Sequence, residues 1–206
     1  MTQEELGRAV QALEAGELVV FPTETLYGIG CDALDGAAVA RLCAAKERPQ
    51  DKGIAVVIGE HAMLSAITEH VDDRARALAE RFWPGPLTIL FRARPGLPSP
   101  LVHDGLIGAR VSSDATARGL ARALGRPIAA PSANPGGRTP ARDVGEARVY
   151  FGDRVAVYLD DGDRPPGAAS TVVDPGPPLR ILRAGAIDES ALRRALEPTS
   201  TPPREL

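Results

Sequence analysis

Leu18-Val19-Val20-Phe21-Pro22-Thr23-Glu24-Thr25-Leu26-Tyr27-Gly28-Ile29-Gly30 joins a continuous apolar run to a polar, glycine-containing one. A short unbroken apolar run is the pattern of a buried strand, and Pro22 ends it because proline has no N–H to give the ladder. Two hydroxyls, a carboxylate and a phenol then stand at the strand's end, where ligand sites of α/β sheets tend to lie. Gly28 and Gly30 are expected to let backbone approach a ligand closely. A polar turn capped by its own threonines would use the same residues, and a lone Gly-x-Gly is a weak phosphate motif.

Outward from this stretch, helices and strands alternate. Leu6, Ala9, Val10 and Leu13 recur at helical spacing, which predicts a helix over 3–15 stopped by Gly16. Further helices are expected over 36–46, 72–82, 114–124 with Asp114 as N-cap, and 188–196 with Asp188 as N-cap. Strands are expected over 54–58, 87–91, 106–111, 128–130, 155–159, 171–173 and 179–182. The alternation lacks the strict βαβ period of a doubly wound sheet. It predicts an α/β fold with a twisted mixed sheet, parallel and antiparallel, and flanking helices. No repeat or composition shift marks a second domain. The reading is one catalytic unit over 1–187, then 188–206 as a C-terminal helix and a proline-rich tail expected to be disordered.

The chain has 206 residues, 44% of them hydrophobic, enough for one compact core. A net charge of −3 argues against a bulk polyanion binder, although a local basic groove is compatible with it. Cys31 and Cys43, with His61, His70 and His103, show no metal-ligand spacing. The N-terminus is not a signal peptide and no apolar run is long enough to span a bilayer, so a cytoplasmic protein is expected, with no membrane partner.

Of 24 basic residues only Lys46 and Lys52 are lysines, and both fall in Lys46-Glu47-Arg48-Pro49-Gln50-Asp51-Lys52-Gly53. Two ammonium heads and a guanidinium outline a phosphate or carboxylate site; a solvated basic turn is the plainer reading. Ala130-Pro131-Ser132-Ala133-Asn134 places Ser132 and Asn134 two apart after a buried strand, able to hold a ribose, a phosphate or a metal-bound water, or to form an ordinary turn. Ser170-Thr171-Val172-Val173-Asp174 and Leu182-Arg183-Ala184-Gly185 put hydroxyls and a cation at further strand ends. No histidine is placed to activate Ser132. Trp83, beside Pro84-Gly85-Pro86, is expected to be a packed corner rather than a base-stacking platform.

In their order and spacing, Phe21 to Gly30, Lys46-x-Arg48-Pro49, Phe82 to Leu90, Ala130 to Asn134, Ser170 to Asp174 and Leu182 to Ile187 resemble the YrdC/Sua5 family, from about Glu5 to Ile187. The resemblance implies a twisted sheet around a concave, positively charged groove. It also implies a nucleotidyltransferase joining L-threonine, bicarbonate and ATP, with Mg²⁺, into threonylcarbamoyl-AMP and pyrophosphate. The product would pass through a threonylcarbamoyl transferase to adenosine 37 of tRNA. Carried over by position, Lys46, Arg48, Ser132 and Asn134 form the catalytic signature. Arg48, Lys52, Ser132, Thr139 and Arg183 fall on ATP, and Thr25, Arg110, Ala130 and Ser170 on L-threonine. No protein metal ligand is implied. An RNA-binding module, with at least a weak RNA contact, and a paralogue forming another carbamoyl-adenylate are the alternatives.

The chain departs from the family pattern at several positions. Gly53-Ile54-Ala55 replaces the usual Pro-Leu-Ile, and Val57 stands where many members have a histidine. Arg110-Val111-Ser112-Ser113-Asp114 replaces Arg-Val-Pro-x-His. These changes fall mainly on the amino-acid pocket and bear on threonine specificity.

Overall fold

The computed structural model describes residues 1–47, 53–164 and 168–197. Among them a nine-stranded mixed sheet runs β7-β1-β2-β6-β3-β5-β4-β8-β9. Its strands are β1 (Val19–Pro22), β2 (Tyr27–Asp32), β3 (Val56–Val57), β4 (Leu87–Arg92), β5 (Leu106–Arg110), β6 (Ile128–Ala129), β7 (Val157–Tyr158), β8 (Thr171–Asp174) and β9 (Arg180–Arg183). The helices are α1 (Gln3–Glu14), α2 (Gly36–Ala45), α3 (Asp73–Phe82), α4 (Ala115–Leu124), α5 (Val144–Phe151) and α6 (Glu189–Ala195). Strands β1–β7, β3–β5 and β4–β8 pair in parallel and the others antiparallel, as the mixed-sheet reading expects.

Local chemistry sets the helix starts. Thr2 and Glu5 form a reciprocal capping box on α1. Asp35, Asp72, Asp114, Asp143 and Asp188 each accept backbone N–H groups at the starts of the later helices. Gly125, in the left-handed region at φ 69°, closes α4.

The period-2 alternation of the strands sorts their side chains onto two faces. Val20, Ile29, Val56, Ile89, Ala109, Ala129 and Val173 point into the main core, shared with Leu42 of α2, Leu78 of α3 and Leu192 of α6. On the other face Val19, Phe21, Val57 and Ile128 meet Leu13 of α1 and Leu120 of α4 in a second, smaller core. Helices α1 and α4 cover only part of that face.

Three expectations change. Residues 27–30 belong to a buried six-residue strand, β2, and not to a turn. Gly30 serves that strand, since a Cβ there would lie 2.6 Å from the Ala129 carbonyl oxygen, so the glycine permits close approach of β6 rather than of a ligand. Helix α5 falls in a stretch where the sequence pattern predicts none. Trp83 is packed as expected, 6% exposed, its indole N–H donating to the Leu87 carbonyl at 2.7 Å.

Candidate active site

The uncovered part of the second face is a cleft of about 300 Å³. Its floor is made of small residues. Ala55 is opposite Gly108 and Ala130, one position along from the Val56–Ala109 and Val56–Ala129 pairs, and the Ala130 N–H donates to the Ala55 carbonyl at 3.0 Å. Under α1 and α4 the same face carries Val57 and Ile128. The hollow exists because side-chain volume stops where the helices stop.

A polar row lies beside this floor. Val57 is paired with Arg110, Arg110 falls opposite Thr88, Thr88 is paired with Val172, and Val172 with Arg183. Arg110 and Arg183 thus stand three strands apart and reach over one cleft from opposite sides. Partial desolvation of its head first, and then the like charge of Arg110, lower the Arg183 pKa, although the residue as a whole is exposed. Arg183 donates to the Ser170 carbonyl at 3.0 Å and to its hydroxyl at 2.8 Å, and Ser170 Oγ lies 3.2 Å from Thr88 Oγ1. Gly185 lets the following turn close, because a Cβ there would lie 2.2 Å from the Ala169 carbonyl oxygen.

Arg110, 8% exposed, donates to Glu24 Oε1 at 2.9 Å. The other Glu24 oxygen accepts from Ser112 Oγ. Thr23 fixes this loop, its hydroxyl donating to the Leu26 carbonyl at 2.7 Å and lying 3.2 Å from the Thr25 hydroxyl.

Ser132 and Asn134 are brought together by a turn after β6, and Ser132 Oγ donates to Asn134 Oδ1 at 2.6 Å. The Asn134 amide N–H₂ is spent on the Pro135 and Arg138 carbonyls. Lys46, which caps α2, is 3% exposed; its ammonium donates to the Ser132 and Asn134 carbonyls, and its own carbonyl accepts from Gly136 at 2.7 Å. The two signature segments are therefore joined by a buried cation.

Of the residues expected at the site, Thr25, Arg110, Ala130, Ser132, Ser170 and Arg183 line this one cleft. Thr139 is exposed, next to Pro140, which lines it. Arg48 and Lys52 lie outside the described residues. Val57 is enclosed in the second core, 1% exposed. Thr23, one of the two hydroxyls read at the strand end, also lines the cleft, and Thr88 and Gly108 line it and were missed; Glu24 was visible only as one carboxylate in a polar run, with nothing to mark its partner 86 residues away. Among the described residues no group of His, Cys, Asp or Glu could hold a metal ion, and no helix is long and apolar enough to cross a membrane. Burial pushes the Cys31 thiol pKa up, so that thiol is no nucleophile near neutrality.

An open mixed sheet whose bare face holds two arginines, several hydroxyls and a floor of small residues makes this an α/β protein with a cleft suited to a small anionic ligand. The chain belongs to the Sua5/YciO/YrdC family, whose model, described as "Telomere recombination", matches residues 11–185. A Mycobacterium tuberculosis relative is 40% identical over 191 residues, covering 91% of this chain and 87% of its own. A threonylcarbamoyl-AMP synthase of Idiomarina loihiensis is 34% identical, covering 81% of this chain and 91% of its own. The crystal structure of Pyrococcus abyssi Sua5 complexed with L-threonine superposes with a TM-score of 0.91 at 31% identity, over 96% of this chain and 58% of that longer one. Escherichia coli YciO superposes with a TM-score of 0.80 at 26% identity, over 91% of this chain and 92% of its own.

Proposed function

We propose that the protein is an L-threonylcarbamoyladenylate synthase, a nucleotidyltransferase that converts L-threonine, bicarbonate and ATP to threonylcarbamoyl-AMP and pyrophosphate. The observation that carries this reading is the convergence of Thr25, Arg110, Ala130, Ser132, Ser170 and Arg183 on one cleft. A relative that superposes over 96% of the chain has been solved with L-threonine.

The chemistry suits such a cleft. The threonine amine attacks bicarbonate to form the carbamate and water. A carbamate oxygen then attacks the α-phosphorus of ATP, and the bond to the bridging oxygen breaks to release pyrophosphate. No protein nucleophile takes part; what is needed is positioned positive charge. Arg110 suits the amino-acid carboxylate through a forked contact, with Thr25, Ala130 and Ser170 as the other contacts to threonine. Arg183, Ser132 and Thr139, with Arg48 and Lys52, are assigned to ATP. Lys46 and Asn134 support Ser132. Mg²⁺ enters as part of the MgATP substrate, held by its phosphates. The product would serve a threonylcarbamoyl transferase acting on adenosine 37 of tRNA, which places the activity in the cytoplasm.

The test is pyrophosphate release by pure protein with MgATP, required to depend on both L-threonine and bicarbonate. Release that ignores either one, or none at all from folded protein, rejects the assignment. Micromolar RNA binding at physiological salt without turnover would put an RNA-binding module in its place.

A further inference from the structure

We infer that Ser112 is a positioning residue for amino-acid recognition, acting through Glu24 to set which edge of the Arg110 guanidinium faces the cleft. The inference rests on the threonine-binding role proposed above.

Three observations carry it. First, the Arg110–Glu24 contact uses one guanidinium nitrogen, Nη1, and Glu24 is the only hydrogen-bonding partner of that guanidinium among the described residues. The other N–H groups are left for a ligand, and Arg110 lines the cleft. Second, the other Glu24 oxygen is turned to Ser112 Oγ and not to Arg110, so the Arg110–Glu24 contact stays one-pronged. A carboxylate free to rotate would form the two-pronged contact that arginine favours, and would occupy the edge a substrate carboxylate needs. Third, Ser112 has little freedom. It is fully buried, its Oγ accepts the Asp114 N–H at 3.1 Å, which directs its own proton toward Glu24, and its carbonyl accepts from Arg118 at 2.8 Å. Asp114 in turn caps α4. The orientation of the guanidinium is thus tied, through one hydroxyl and one carboxylate, to the start of a helix.

The test is steady-state kinetics with calorimetric L-threonine binding on Ser112→Ala, Glu24→Gln and the double variant. In Glu24→Gln an NH₂ that cannot accept replaces one of the two carboxylate oxygens, so either Arg110 or Ser112 loses its acceptor, and this variant leaves the Asp114 contact untouched if Ser112→Ala fails to fold. Loss of one charge-assisted hydrogen bond is expected to raise the KM and Kd for threonine about tenfold in either single variant. The KM for ATP should stay within about twofold. Because Ser112 acts through Glu24, the double variant should be no worse than Glu24→Gln alone. Additive losses, equal rises in both KM values, or an unchanged threonine Kd would overturn the inference. Wild-type protein that turns over but shows those results rejects this inference alone; wild-type protein that neither binds threonine nor releases pyrophosphate rejects the function with it.

Discussion

Removing the Lys46 ammonium tests whether the loop carrying Ser132 and Asn134 is held by a buried cation. The side chain leaves the end of α2, is enclosed by protein, and donates to two carbonyls 86 and 88 residues away. Hydrogen bonds from a charged donor contribute about 1.5–3 kcal/mol each. Lys46→Met keeps most of the stem and leaves both carbonyls without their donor. Two lost bonds, offset by the desolvation that a neutral side chain avoids, give a net cost of about 3 kcal/mol. In a domain of this size that lowers Tm by roughly 6–12 °C. Urea unfolding should show the loss as a lower midpoint with little change in slope. Activity should fall by more than the fraction unfolded, because Ser132 is on the released loop and lines the cleft. A Lys46→Met protein with wild-type Tm but abolished turnover would refute the clamp and make Lys46 a direct substrate contact. Wild-type values of both would deny it any part in the site.

Three more perturbations bear on the cleft and its surroundings. Arg110→Lys replaces a planar fork by a point charge, and the threonine KM should rise about 10–100-fold while ATP is little affected; equal effects on both substrates would remove Arg110 from the amino-acid end. Ala130→Leu puts a branched side chain on the floor and should cut kcat/KM at least tenfold with little change in Tm, as extra methylenes in a pocket commonly do; undiminished turnover would show that substrate lies elsewhere. Cys31 and Cys43 are both buried, and burial raises the Cys31 pKa. The aromatic disulfide reagent DTNB at pH 8 should therefore release almost no thionitrobenzoate before urea is added and two equivalents after; fast reaction of the native protein would contradict this packing.

What the sequence could and could not disclose follows from the range of each interaction. Apolar runs and capping aspartates act within one element, so Val19–Pro22, Leu87–Arg92 and the starts of α3, α4 and α6 were legible. Ser132 and Asn134 meet through a tight turn, in which the Asn134 N–H donates to the Ser132 carbonyl at 2.9 Å, and turn geometry is local too. Strand β2 was hidden by Gly28 and Gly30, which are unfavourable in strands unless a neighbouring backbone needs the space; that neighbour is Ala129, about a hundred residues on. Helix α5 shows its apolar side only through Val144, Ala147 and Phe151, with Gly145 weakening the pattern. Glu24–Arg110, Ser112–Glu24 and the Lys46 contacts are long-range pairs between side chains or with backbone carbonyls. No periodicity marks them, and the family resemblance supplied the site residues only one position at a time.

The division of one sheet face explains why the site lies where it does. Along β3 and the residue before it, those on that face are Ala55 and Val57; along β6 and the residue after it, they are Ile128 and Ala130. In each pair the larger residue is under α1 and α4 and the small one is in the cleft. Extending α4 over the floor would require those alanines and Gly108 to grow, and Gly108 has no room, since a Cβ there already meets Thr88 Cγ2 at 3.0 Å and Ala55 Cβ at 3.3 Å. The cleft is thus kept open by packing between the strands themselves. Arg110 is next to Val57 in the row where cover ends and cleft begins, which buries most of its side chain while leaving it in the cleft lining. Because Ser112 at that boundary also sits two residues before the cap of α4, shifting the helix start would move Glu24 before it moved the floor. A substitution at Asp114 should therefore change amino-acid affinity more than nucleotide affinity, as calorimetric titration of each ligand would show.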